Sequence, residues 1–397
     1  MASRRSASIS IFAVVLVALL ALNYGSGIDS AQAQEATANP TSNATQAADS
    51  STNSSGDRVE KIVFVSDQAR PNGDIFIADP DGKNIVKLTT GPNGYGYPMV
   101  SPDGKHITYL EAIKGQGGLS SIWIMDPNGA NAHQLTKLPG QYLIPAWSAD
   151  STRIFFTEIR DPKDKKAIPE LHSLNLDGTK EQQIKLGNGT IRISLSPIAI
   201  SPDGKFIAFT GTDTTSPLAT LATLGFGNKL FISDIDGSNV RRLDPATTVY
   251  GNIDFQSQGY PAWSPDQSRI AYTMAAGEGL QITGYEIYIV ASDGSSPKKI
   301  VTIKQFTTSI EPSWSPNGKQ LIFWEIDNNT PHGAAYMMEA DGSNLKRFID
   351  DPKSKAVIQA VWASIPLDLV PTAPAATALA QTPKPSNTPK PTNTPKA

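Results

Sequence analysis

The sequence contains no cysteine. That absence excludes disulfides, thiolate nucleophiles, cysteine-ligated metals and a lipidated-cysteine anchor. Histidine is scarce, with four copies, and the net charge of −3 offers no bulk attraction for nucleic acid or for an anionic membrane surface. No Gly-x-Ser-x-Gly elbow occurs, so the serine-hydrolase arrangement on an α/β domain is excluded. No apolar run reaches the ~20 residues that usually cross a bilayer as a helix; the longest, over residues 11–22, has twelve. An exported chain without disulfides must be held by its core and topology alone.

What the chain does have is turn-forming residues, 31 glycines and 30 prolines, which suit many short strands better than long helices. Its ends differ from its middle. Residues 1–33 read as an export segment: Arg4 and Arg5 precede the apolar run, and Ala31-Gln-Ala33 and Gly25-Ser-Gly27 are small-x-small cleavage sites. Left uncleaved, the same segment is a membrane anchor. Residues 34–57 are rich in Ala, Ser, Thr, Asn and Gln and read as a disordered linker. Residues 370–397 form a Pro/Thr/Lys-rich stalk in which Thr382-Pro-Lys, Thr388-Pro-Lys and Thr394-Pro-Lys recur every six residues. Such a segment favours polyproline II, a spacer or a cell-wall contact.

Between the tails lies a repeat. Six short segments read polar-Ile/Leu-x-aromatic: Lys61-Ile-Val-Phe64, His106-Ile-Thr-Tyr109, Arg153-Ile-Phe-Phe156, Phe206-Ile-Ala-Phe209, Arg269-Ile-Ala-Tyr272 and Gln320-Leu-Ile-Phe323. Each is followed by a segment carrying Phe76, Trp123, His172, Phe231, Tyr288 or Tyr336, which ends in an Asp-Gly or Asn-Gly turn. Five are preceded by another segment and a tight turn, clearest at Pro145-Ala-Trp-Ser148, Pro261-Ala-Trp-Ser264 and Pro312-Ser-Trp-Ser315. Val100 and Ile200 take the Trp position in the other two. The first repeat lacks this leading strand. The missing strand recurs after the last repeat, around Trp362, so one blade is built from both ends of the domain and closes a ring. The predicted fold is all-β: a six-bladed β-propeller of four-stranded antiparallel blades over residues 58–369.

The pattern Pro-x-Trp-Ser-Pro-Asp-Gly-Lys-x-Ile-x-Phe, with its later Asp-Gly, resembles the TolB-like propeller repeat, also called the PD40 or WD40-like repeat. The resemblance implies a six-bladed propeller of the cell envelope that acts through protein contacts. TolB carries an α/β domain before its propeller, and residues 34–57 hold that place here.

Strand order gives each blade two ends. The first and third connections are the short turns, which clip one face of the disc. The long, variable connections gather on the other, where binding sites on rigid scaffolds usually lie. Tyr97, Ile144, Pro197, Tyr260, Glu311 and Gln359 are expected to ring the channel mouth there, with Tyr95, Tyr142, Tyr250, Phe255 and His332 on the surrounding loops. Aromatics favour interfaces, and packing against their own blade is the alternative for each.

Chemical suspects are few. His172 fills an aromatic slot and reads as core, His106 and His133 occupy ordinary repeat positions, and His332 is alone in its loop. No convergent metal site or cofactor is expected. The Asp-x-Asp-Gly runs lack the other oxygen positions of a calcium loop and are explained as turns. The expectation is a monomeric, non-enzymatic scaffold exported to the periplasm or surface. Its partner is an envelope protein or peptide, not nucleic acid, and its only membrane contact is the N-terminal segment. The alternatives are a carbohydrate- or small-molecule-acting enzyme with a site in the channel, and a structural wall-associated protein.

Overall fold

The computed structural model describes residues 57–66, 73–113, 118–160, 167–194, 196–215, 228–243, 258–278, 281–304, 307–308, 311–327, 333–349 and 357–371. They form six antiparallel sheets, one per repeat, as the repeat predicts. Blade 1 consists of Val357–Pro366, Arg58–Ser66, Asp74–Ala78 and Val86–Lys87, from the innermost strand outward. Blade 2 runs Tyr95–Val100, Ile107–Ala112, Ser120–Met125 and His133–Gln134. In blade 3 the innermost strand is split into Gln141–Tyr142 and Ala146–Trp147, followed by Arg153–Ile159, Glu170–Asn175 and Gln182–Ile184. Blade 4 has Ile191–Ile193 with Ala199–Ile200, then Phe206–Asp213, Lys229–Asp234 and Arg241–Arg242. Blade 5 has Gln258–Trp263, Arg269–Glu278, Gln281–Ala291 and Lys298–Lys304. Blade 6 has Thr307–Thr308 with Ser313–Trp314, then Gln320–Asp327, Gly333–Glu339 and Lys346–Arg347.

The second strand of each blade is hydrophobic on both faces because both faces are covered. Ile62 and Phe64 pack against Ile322 and Trp324 of blade 6, while Val63 and Val65 pack against Ile107 and Tyr109 of blade 2. The same arrangement recurs around the ring, so the core is six clusters, one at each junction between neighbouring blades. Period-2 alternation delivers one aromatic from strand two and one from strand three to the same junction. They stack across the sheet as Phe64–Phe76, Tyr109–Trp123, Phe156–His172, Phe209–Phe231, Tyr272–Tyr288 and Phe323–Tyr336, with centroids 5.7–6.4 Å apart. Each aromatic pair of this kind adds about 0.5–1.5 kcal/mol beyond its buried area.

The turns of the clipped face are built from one hydrogen-bonded unit. Ser264 Oγ donates to Asp266 Oδ1 (2.5 Å) and accepts from the Arg269 amide (3.0 Å), which locks the turn between strands one and two. Ser101, Ser148, Ser201 and Ser315 repeat it with Asp103, Asp150, Asp203 and Asn317. The outer turns meet the preceding blade. Gly129 has φ +83°, and a Cβ there would stand 2.5 Å from the Leu88 carbonyl oxygen, so only glycine fits. The repeat tryptophans add a second clamp: the indoles of Trp147, Trp263 and Trp314 donate to Met99 O, Ala199 O and Ala262 O of the preceding blade.

The ring closes as the repeat predicts. Val357–Pro366 pairs antiparallel with Arg58–Ser66, from Arg58 opposite Pro366 to Ser66 opposite Val357. Arg58 reaches both Ser364 and the Asp103 carbonyl, tying the closing strand to the turn of blade 2. Trp362 breaks the tryptophan pattern, since its buried indole N–H has no hydrogen-bond partner. At that seam its backbone amide donates to Ser313 Oγ instead (3.1 Å). No helix among the described residues is long and apolar enough to cross a membrane, and residues 11–22 lie outside them.

Candidate functional site

The innermost strands depart from regular β structure on the long-connection face. Tyr97, Tyr260 and Gln359 have φ of 53°, 53° and 51°, a left-handed backbone inside a strand. Among the described residues, the other positive-φ residues that are not glycine lie in turns or short connections, Asn188 in a 3-10 turn. Each of the three sits at a register shift in its strand: between Gly96 and Met99, between Gly259 and Ala262, and opposite Val63/Val65. Left-handed backbone costs a non-glycine residue on the order of 1–2 kcal/mol. A bulge of this kind re-aims a side chain that regular alternation would point elsewhere.

The re-aimed residues meet across blades. The Tyr97 amide donates to Gln359 Oε1 at 2.7 Å, joining blades 2 and 1. The Tyr260 amide donates to Ser196 Oγ at 3.1 Å, joining blades 5 and 4 in the same manner. Glu311 of blade 6 accepts from the Trp324 indole at 3.2 Å. Burial, reinforced by the Glu311 charge, pushes the Tyr97 hydroxyl far above its ordinary value against an opposing hydrogen bond with Gln359. Tyr97 is therefore a neutral phenol at any physiological pH. It offers shape and hydrogen bonding, and no general base.

The structure thus brings Tyr97, Gln359 and Glu311 together, with Tyr260 in the matching bulge of blade 5. Ile144 is buried. Tyr95 is buried too, edge-on to Tyr109 with its hydroxyl donating to Thr90 O. Tyr142 lies edge-on to Phe156 and its hydroxyl donates to Leu138 O at 2.8 Å, so both tyrosines, which stand in inner strands and not on loops, contribute to blade packing. Pro197 is half-buried. Tyr250, Phe255 and His332 lie outside the described residues.

A second constellation was missed by reading the histidines one at a time. His172 is 3% exposed and stacks on Phe156 as its slot predicts, but it also faces three carboxylates. Its Nε2 lies 3.2 Å from Glu170 Oε2 and 3.5 Å from Glu158 Oε1, and its Nδ1 lies 3.4 Å from Glu181 Oε1. The Arg160 guanidinium reaches into the group, with Nε 2.5 Å from Glu158 Oε1 and an ion pair to Glu181. Burial raises the Glu158 carboxyl above its ordinary value, against the pull of Arg160 and His172. Burial and the Glu158 charge push the neighbouring Tyr142 hydroxyl up to about 12. Among the described residues, Glu158, Glu170 and His172 are the group whose ligand atoms all lie close enough to share one ion, within 4.8 Å of one another. The available signal was positional. Glu158 lies two residues after one aromatic slot and Glu170 two before the next, which places them opposite each other on the face that carries His172.

No family model matches the chain, and no curated protein matches it by sequence. Solved structures do. TolB from Acinetobacter baumannii matches with a TM-score of 0.59 at 18% identity, over 76% of this chain and 66% of that one. The hydrazine synthase of Kuenenia stuttgartiensis matches at 0.57 and 15% identity, over 80% of this chain and 48% of that one. A chain of a nidogen/laminin complex matches at 0.52 and 14% identity, over 77% of this chain and 98% of that one. At such identities the likeness carries the fold and leaves activity open. By its fold, then, the chain is a six-bladed β-propeller, similar in structure to the propeller of TolB.

Proposed function

We propose that this chain is a binding scaffold of the cell envelope that holds a protein or peptide segment at the channel mouth on its long-connection face. The observation that carries the reading is the set of bulges at Tyr97, Tyr260 and Gln359, where left-handed backbone is retained inside strands. Strain held inside a strand beside polar side chains is a pointer to function when the surrounding structure must over-determine it. Tyrosine contributes large, rigid contact area with few rotatable bonds, and Gln359 and Glu311 add hydrogen-bond acceptors beside it. The acidic character of Glu311 favours a segment that brings a cationic side chain or a free amino terminus. The N-terminal export signal in the sequence supports an envelope location.

A photoreactive phenylalanine analogue placed at Tyr97 or Tyr260, and at Lys205 on the clipped face, tests the reading. Irradiation in envelope extract is expected to yield the same discrete adduct from both mouth positions and none from position 205. Equal labelling from all three positions would remove the channel mouth as the binding site.

A further inference from the structure

Strand pairing makes blade 3 unlike its five neighbours. The residues two beyond the stacked rings face one another across strands two and three. In the other blades they are Ser66–Asp74, Glu111–Ser121, Gly211–Lys229, Met274–Glu286 and Glu325–Ala334. Only in blade 3 are both carboxylates, Glu158 opposite Glu170. Like charges directly opposed across strands are destabilising, so this pair favours a cation between its carboxylates, a place Arg160 now takes. Glu158 is 6% exposed, and the cation beside its Oε1 is the Arg160 guanidinium, with Nε 2.5 Å away. The third member, His172, replaces the aromatic residue that every other blade carries in its slot.

From this geometry we infer that His172, Glu158 and Glu170 form a binding site for a divalent transition-metal ion such as Zn2+ at the long-connection rim of blade 3. Donor atoms about 2.0–2.1 Å from a tetrahedral zinc ion stand roughly 3.3 Å apart. The separations of His172 Nε2 from Glu170 Oε2 and Glu158 Oε1, 3.2 and 3.5 Å, already match two edges of that tetrahedron. The other ring nitrogen lies 3.2 Å from an Arg160 guanidinium nitrogen and 3.4 Å from Glu181 Oε1, so withdrawal of Arg160 would leave Glu181 to hold the Nδ1–H tautomer that frees Nε2 for the ion. One imidazole and two carboxylates suit a borderline ion better than Ca2+ or Mg2+, which favour all-oxygen sets. Arg160 is the competitor. Its side chain is 56% exposed, its guanidinium touches the same carboxylates, and it must swing outward to release them to the ion. The site is independent of the channel-mouth reading, since it shares no residue with it.

The test is a Zn2+ titration of the full chain against a chromophoric chelator, with Ca2+ and Mg2+ as controls. One equivalent of Zn2+ is expected to bind. His172→Phe installs a ring of the kind found at Phe76 and Phe231, so it should fold and melt normally while losing that equivalent. Glu181→Gln is expected to weaken binding by about tenfold, as removal of a supporting carboxylate commonly does. Arg160→Ala should tighten binding, because it removes the resident cation. His106→Lys, which installs the residue blade 1 carries at Lys61, should bind as the unaltered chain does. Failure of the unaltered chain to bind Zn2+, or equal binding by a folded His172→Phe variant, would overturn the assignment.

Discussion

The two faces of the disc follow different rules. The clipped face is made of copies: five Ser-x-Asp/Asn turns and an outer Asp-Gly or Asn-Gly turn in each blade, with only modest variation. The opposite face is made of exceptions: bulges at Tyr97, Tyr260 and Gln359, split inner strands in blades 3, 4 and 6, and a charged cluster in blade 3. Electrostatics divide the same way. Asp150, Asp203 and Asp266 are held below their ordinary value chiefly by serine hydroxyls, whereas burial raises Glu158. One face stabilises its carboxylates and the other holds a carboxyl whose charged form burial disfavours. Repeated positions therefore carry stability, and departures from the repeat mark candidate function.

Five changes break or sharpen this contrast. The largest effect is expected from truncation after residue 356, which removes Val357–Pro366 and leaves Arg58–Ser66 an open edge. Trp362, Ala360 and Ile365 leave two of the six core clusters with it, so no cooperative thermal transition should remain. Next is Phe209→Ala, at a fully buried repeat position, expected to cost about 3–5 kcal/mol in urea unfolding. Ser264→Ala follows at about 1–2 kcal/mol, because it strips the hydroxyl that bridges Asp266 and the Arg269 amide. The same turn sets a pH dependence. The folded value of Asp266 lies below the unfolded one, so its contribution is complete above about pH 4 and is lost as pH falls through the folded value. Asp266→Asn should therefore flatten the acid limb of the stability profile. The smallest stability effect is expected from Tyr260→Gly on the irregular face. Relief of the left-handed backbone offsets the lost side-chain contacts to within about 1 kcal/mol, while capture of the ligand falls. A loss as large as that of Phe209→Ala would mean that Tyr260 belongs to the core and that the contrast between the faces fails there.

Much of the fold was legible in residue order because repeats carry their own alignment. The apolar run Ile62-Val63-Phe64 and its counterparts declare a strand buried on both sides, and a leading Trp segment absent from the first repeat but present at Trp362 requires a closed ring. The candidate sites were legible only in part. Placing Tyr97, Tyr260, Glu311 and Gln359 at one end of the disc needed nothing beyond strand direction. Their mutual contacts depend on bulges, which alternation cannot foresee because one extra residue changes which side a side chain takes. Tyr95 and Tyr142 show the converse: a loop-end aromatic looks available in sequence, yet each ring finds a neighbour within its own blade.

By itself, the sequence determined the number of blades, the strand that closes them and the face that bears variation, because each follows from local pattern and chain order. Only the tertiary structure decided that His172 turns both ring nitrogens toward carboxylates and that Arg160 reaches back over them. The physical reason is distance in the chain. Arg160 and Glu181 are 21 residues apart in the chain and lie outside the paired aromatic slots, so the repeat pattern does not say that their side chains converge on His172.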